Sequence, residues 1–160
     1  MIFVTVGEQL PFDRLIRAMD EWAATSGEDV FAQTGASRWK PTYMPYKEFL
    51  DPVDFKARLQ CADLVVAHAG MGTIITALEV GKPILVVPRQ QGLGEVRNDH
   101  QFATARRFQS LDFVEVAIDT DELKIKLDDW LRGGMAPKKR GFVGPDPLLI
   151  ATIREFVSKS

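Results

Sequence analysis

Short apolar runs and longer periodic stretches alternate along this chain. Leu64–Ala67 is an apolar run that stops at His68-Ala69-Gly70-Met71-Gly72-Thr73. With no room for a helix, it predicts a strand buried on both faces. Ile74, Ile75, Ala77, Leu78 and Val80 then recur at helical spacing, and Gly81-Lys82-Pro83 supplies a stop. A second apolar run, Ile84–Val87, ends at Pro88. Strand, turn, helix and strand in this order predict a parallel pair joined by a right-handed crossover.

The same alternation extends in both directions. Ile2–Val6 predicts the first, central strand, and Phe12–Ala24 an amphipathic helix on Leu15, Ile16, Met19, Trp22 and Ala23. Asp29–Thr34 predicts strand two and Thr42–Met44 a short third strand, with Arg38, Trp39 and Lys40 in the loop between. Pro52–Cys61 reads as a helix with Asp51 as N-cap and Pro52 at its first position. Arg89–Arg97 has glycines and no period, and as a loop at the carboxyl end of a strand it is expected to act as a lid or ligand-contacting segment. Asn98 then caps a helix carrying Phe102, Ala103, Ala105 and Phe108. Phe113–Ile118 predicts the last strand and Asp121–Leu131 another helix. Residues 133–145 read as a flexible loop, and 146–158 as a terminal helix whose apolar face suits a partner. The fold class is α/β: a Rossmann-like parallel sheet of about six strands, ordered 3-2-1-4-5-6, in one domain over 1–160.

Composition narrows the functional classes. A net charge of −2 and a pI near 5.7 argue against nucleic acid as a partner. One cysteine, Cys61, excludes an internal disulfide and a Cys-based zinc site. Flanked by Ala57, Leu59 and Ala62, it is expected to pack inside. The apolar start ends at Gly7, too early for a signal or a membrane span, so a cytoplasmic location is expected.

The candidate chemistry lies in the first turn after Leu64–Ala67. Gly70 and Gly72 remove side chains where a backbone must approach a ligand, and Thr73 adds a hydroxyl at a helix start whose dipole favours an anion. A phosphate at Gly70–Thr73 is the expectation. Gly7 stands alone after the first strand. The G-x-G-x-x-G of a dinucleotide dehydrogenase is not there.

His68-Ala69-Gly70-Met71-Gly72-Thr73, Glu79, Gly81-x-Pro83, Val86-Val87-Pro88 and His100-Gln101 together resemble the donor-nucleotide half of GT-B glycosyltransferases of the family 28 C-terminal-domain type. The resemblance is densest over residues 63–105. A donor half alone resembles the small subunits of split enzymes. These are the PssE-like subunits of two-component bacterial exopolysaccharide glycosyltransferases and the small subunit of the dolichol-pathway UDP-GlcNAc transferase. The resemblance implies that His68, Gly70, Met71, Gly72 and Thr73 hold the diphosphate of a UDP-sugar and Glu79 the ribose. It implies further that Gln101, with Asp99 or His100, holds the sugar, and that Gly7 leaves space at the cleft floor. The donor sugar is expected to be a hexose or a hexuronic acid. His100 stands where many relatives place an acid, and Arg89 and Arg97 lie close in sequence, which points to a uronic acid donor such as UDP-glucuronate against UDP-GlcNAc, UDP-glucose or UDP-galactose.

No cofactor is obligatory on this reading, since the resemblance implies that a helix start and side chains, not an obligatory metal, stabilise the leaving diphosphate, and the donor is the UDP-sugar itself. The general base is expected on a membrane-anchored, acceptor-binding partner subunit. Glu8 is the in-chain candidate. The acceptor is a lipid-linked saccharide, and the chain sits peripherally at the inner face of the membrane through that partner. Homo-oligomerisation of the isolated chain is left open. The alternative reading is a non-catalytic nucleotide-sugar-binding or regulatory module.

Overall fold

The computed structural model describes residues 1–110 and 114–133, with isolated positions at 147, 151, 154 and 155. The expected loop 133–145 and terminal helix 146–158 therefore lie outside the described residues, Gly133 and those isolated positions apart.

Six parallel strands form one sheet in the order β3-β2-β1-β4-β5-β6. They are β1 (Ile2–Thr5), β2 (Val30–Gln33), β3 (Tyr46–Lys47), β4 (Leu64–His68), β5 (Ile84–Val87) and β6 (Glu115–Val116). The helices are α1 (Asp13–Ser26), α2 (Pro52–Cys61), α3 (Met71–Glu79), α4 (His100–Ser110) and α5 (Thr120–Leu131). The order of the expected sheet is the observed one.

The continuous apolar runs have their reason in two cores. Alternate residues of one strand point to opposite faces. Ile2 and Val4 of β1, Leu64 and Val66 of β4, and Leu85 and Val87 of β5 pack on one face with Leu15, Ile16 and Met19 of α1 and Leu123 and Leu127 of α5. Phe3, Val65 and Val86 point the other way, onto Leu59 of α2, Ile74 and Ala77 of α3 and Phe108 of α4. The helices thus cover both faces, and the carboxyl ends of the strands are left open.

Three expectations are corrected. The third strand lies at Tyr46–Lys47, not Thr42–Met44, because the buried Asp20 carboxylate takes the amides of Thr42 (3.0 Å) and Tyr43 (2.7 Å). Those N–H groups cannot enter a ladder, and pairing begins where Ala32 N–H reaches the Pro45 carbonyl, 3.0 Å away. Cys61 is exposed, because α2 turns only Leu59 fully inward and its last residue faces out. The last strand is the short Glu115–Val116. Phe113 lies outside the described residues, and Ile118 is 52% exposed.

Candidate functional site

β1 and β4 are neighbours whose following helices lie on opposite faces of the sheet. At such a switch point the two connections diverge and leave a crevice outside the carboxyl ends of the strands. Two cavities open there, of about 750 Å³ and 340 Å³. Both are lined by Gly7, Glu8, Gly72 and Thr73, so they form one cleft with a larger and a smaller compartment.

α3 gives the cleft its polarity. Its N-cap is Gly70, and no side chain caps the helix, so the amides of its first turn are offered to the cleft rather than to the protein. An added Cβ at Gly72 would meet nothing within 4 Å, which makes it the point of free backbone approach. Thr73 lines both compartments, whereas Glu79 lines only the larger. Six residues at 1.5 Å rise separate these two by about 9 Å along the helix.

Gly7 and Gly70 also border a side chain that the sequence reading did not connect with them. Both make room for the His68 ring. A Cβ at Gly7 would lie 2.8 Å from His68 Cε1, and one at Gly70 would collide with Nε2. Gly7 also has a positive φ of 76°. The ring is buried at the end of β4, and its Nδ1 has no partner. Burial first, then the Arg89 charge, lowers the imidazole pKa from its ordinary 6.5 to about 4, against a smaller opposing effect of the Thr5 backbone. His68 is therefore a neutral group on the wall of the smaller compartment at pH 7.

Other expected residues divide. Arg89 borders the smaller compartment, but its Nη2 is committed to the carbonyls of Val6 (2.7 Å) and Leu10 (2.6 Å). Burial lowers its pKa from the ordinary guanidinium range to about 10, with Glu95 acting in the opposite direction. Gln101 also reaches this compartment, and its Oε1 accepts from Arg89 N–H at 3.1 Å. Asp99 and His100 line neither compartment. Asp99 instead accepts from Gln91 N–H (3.2 Å), and His100 opens α4 with its N–H on Asn98 Oδ1 (3.2 Å). Met71 and Gly70 line neither, nor does Arg97, which is exposed. Glu8 is exposed at the junction of the two. The expected lid loop is held down: Glu95 is paired with Arg14 at 2.7 Å and accepts from Gln90 N–H at 2.8 Å.

Several lining residues escaped the sequence reading. Thr5 and Gln33, partners in register on β1 and β2, floor the larger compartment, where Gln33 Oε1 accepts from Leu50 N–H at 3.1 Å. A polar residue closing an otherwise apolar strand was the available signal. Phe55 and Lys56 enter from α2, and nothing in their local pattern marks them.

Among the described residues, no group of three or more His, Cys, Asp or Glu is placed to hold a metal ion. Nor is any helix long and apolar enough to cross a membrane.

An open parallel sheet with a cleft at its switch point, an uncapped helix start and a carboxylate about two turns along the same helix define a Rossmann-like domain. The chain belongs to the glycosyltransferase family 28 C-terminal domain, which matches residues 1–142. It is 38% identical over 86 residues to the UDP-N-acetylglucosamine transferase subunit ALG13 of Eremothecium gossypii, covering 51% of this chain and 40% of that protein. To the human subunit of the same name it is 32% identical over 117 residues, or 66% of this chain and 10% of that one. The chain thus spans less than half the length of these curated relatives. Among solved structures, it resembles the solution structure of ALG13 with a TM-score of 0.60 at 18% identity, over 95% of this chain and 93% of that one. Os79 of O. sativa in complex with UDP gives 0.62 at 15% identity, over 82% and 32%. These two likenesses establish the fold. The resemblance drawn from residues 63–105 is borne out at the level of the family.

Proposed function

We propose that this chain is the donor-binding subunit of a split, UDP-sugar-dependent glycosyltransferase. The observation that carries the reading is α3: an uncapped N-terminus beside the open Gly72, with Thr73 and Glu79 lining one 750 Å³ compartment. The first-turn amides and the Thr73 hydroxyl hold the diphosphate. Glu79 accepts from both ribose hydroxyls, since a carboxylate offers two acceptor oxygens. The sugar then enters the smaller compartment, past Glu8 and towards Gln101. The relatives named as UDP-N-acetylglucosamine transferase subunits and the structural neighbour holding UDP support this ligand class.

In the transfer, an acceptor oxygen attacks the anomeric carbon while the bond to the diphosphate breaks. Negative charge grows on the leaving UDP, where the fixed amides and dipole of α3 stabilise it. The acceptor's proton passes to a base, either on a membrane-anchored partner or at Glu8. A lipid-linked acceptor, a cytoplasmic position at the membrane through that partner, and a role in exopolysaccharide or capsule synthesis complete the proposal.

The donor sugar on this reading is neutral, of the N-acetylhexosamine kind, rather than a uronate. The relatives named as UDP-N-acetylglucosamine transferase subunits favour it, Arg89 Nη2 is engaged by the Val6 and Leu10 carbonyls, and Arg97 lies away from both compartments. Calorimetric titration with UDP, UDP-GlcNAc and UDP-glucuronate tests both parts. UDP binding weakened about tenfold by Glu79→Ala, as for loss of a charged hydrogen bond, supports the reading. Unchanged binding in that variant, or a preference for UDP-glucuronate, overturns the corresponding part.

A further inference from the structure

The cleft depends on two loops from different parts of the sheet, residues 6–12 after β1 and 88–99 after β5. Each is held by an arginine from the other's side. Arg89, in the second loop, donates from Nη2 to the carbonyls of Val6 and Leu10, which bracket Glu8. Its guanidinium also lies over the Phe12 ring, 4.9 Å from the centroid. In return Arg14, in the first turn of α1, forks onto Glu95 of the second loop, with Nε–Oε1 at 2.7 Å and Nη2–Oε2 at 3.0 Å. Arg14 Nη2 also reaches the Pro88 carbonyl at 3.2 Å.

Stability is a weak reason for such a device. Replacing buried charge by packed apolar groups is often neutral or stabilising. Yet Arg89 is 3% exposed, and the Arg14 and Glu95 side chains are 20% and 12% exposed. What the device fixes is the relative position of Glu8, bracketed by the Arg89 contacts, and Gln101, which accepts from Arg89 N–H. Those two residues border the smaller compartment, Glu8 from the first loop and Gln101 from the first turn of α4, which follows the second.

We infer that Arg89, Arg14 and Glu95 are positioning residues for the donor sugar, welding the two loops so that Glu8 and Gln101 face the same hexose. The inference rests on the functional reading above. It assigns the three residues to the sugar and not to the nucleotide, because Arg89, the one of them that lines the cleft, lines only the smaller compartment, and Arg14 and Glu95 act on the loop that carries it.

The test is titration of the full chain with UDP and with UDP-GlcNAc in wild type, Arg14→Lys, Glu95→Gln and their double variant. Each single change keeps one charge or one acceptor and so favours folding. The expected result is UDP affinity within about twofold of wild type and UDP-GlcNAc affinity reduced about tenfold. The double variant should lose no more than the worse single one, since the two residues act as a pair. Arg89→Lys adds a readout that needs no ligand: faster amide exchange at Glu8–Leu10. A UDP-GlcNAc to UDP ratio that stays at the wild-type value, affinities that fall in parallel, or unchanged exchange at Glu8–Leu10 overturns the inference alone. A wild-type chain that binds neither nucleotide overturns the functional reading and this inference together.

Discussion

Gly7 and Gly72 look alike in the sequence and differ in consequence. Gly7 has a positive φ and lies against the His68 ring, and a Cβ at Gly35 would in turn strike the Gly7 carbonyl. Gly7→Ala is expected to cost about 1–3 kcal/mol in denaturant unfolding, the range for a strained backbone position. Gly72 has open space around it, so Gly72→Ala should leave stability unchanged or slightly raised. Titration should nevertheless show weaker UDP binding, because the methyl group stands where the diphosphate approaches. Loss of stability in Gly72→Ala without loss of binding would contradict this site. His68 makes a prediction in pH. Its folded pKa of about 4 lies below the ordinary 6.5, so between these values the unfolded chain binds the extra proton. The His68 contribution is then complete above about pH 6.5 and declines as pH falls towards 4, by on the order of 3 kcal/mol. Melting curves from pH 7 to 4 should fall less steeply in His68→Asn than in wild type.

At the scale of elements, start signals decided what could be read. Asp51 was legible as a cap because an acceptor followed by Pro satisfies a helix start locally. Asp51 Oδ1 accepts from Val53 and Asp54 N–H, both at 2.9 Å. Asp51→Ala should cost about 1 kcal/mol in unfolding, and it should weaken UDP binding, because α2 carries Phe55 and Lys56 into the larger compartment. The third strand was not legible. Its position depends on Asp20, more than twenty residues upstream on α1, whose carboxylate removes the Thr42 and Tyr43 amides from pairing. A carboxylate in a helix gives no local sign of the loop that it will hold.

For the whole molecule, the sheet carries load from one core to the site. Phe3 is fully buried on the central strand, with its ring edge-on to Phe55, 5.4 Å between centroids. Phe55 borders the larger compartment. Phe3→Ala should therefore lower unfolding stability by about 3–5 kcal/mol and reduce UDP affinity as well. A destabilised variant that keeps full affinity below its melting temperature would show the cleft to be independent of that core.

By itself, the sequence determined the strand order, the two covered faces and the glycine turn that follows β4. These follow from local period, from the right-handedness of the crossovers and from glycine at a strand end, all of which act between near neighbours. The family resemblance named His68, Gly72, Thr73 and Glu79 together, and all four line the cleft. Only the tertiary structure decided what meets across loops. Arg89 Nη2 serves the Val6 and Leu10 carbonyls, Asp99 holds its own loop, and Gly7 and Gly70 make room for an imidazole. Those outcomes depend on contacts between segments up to 83 residues apart, where composition and spacing carry no information about which donor finds which acceptor.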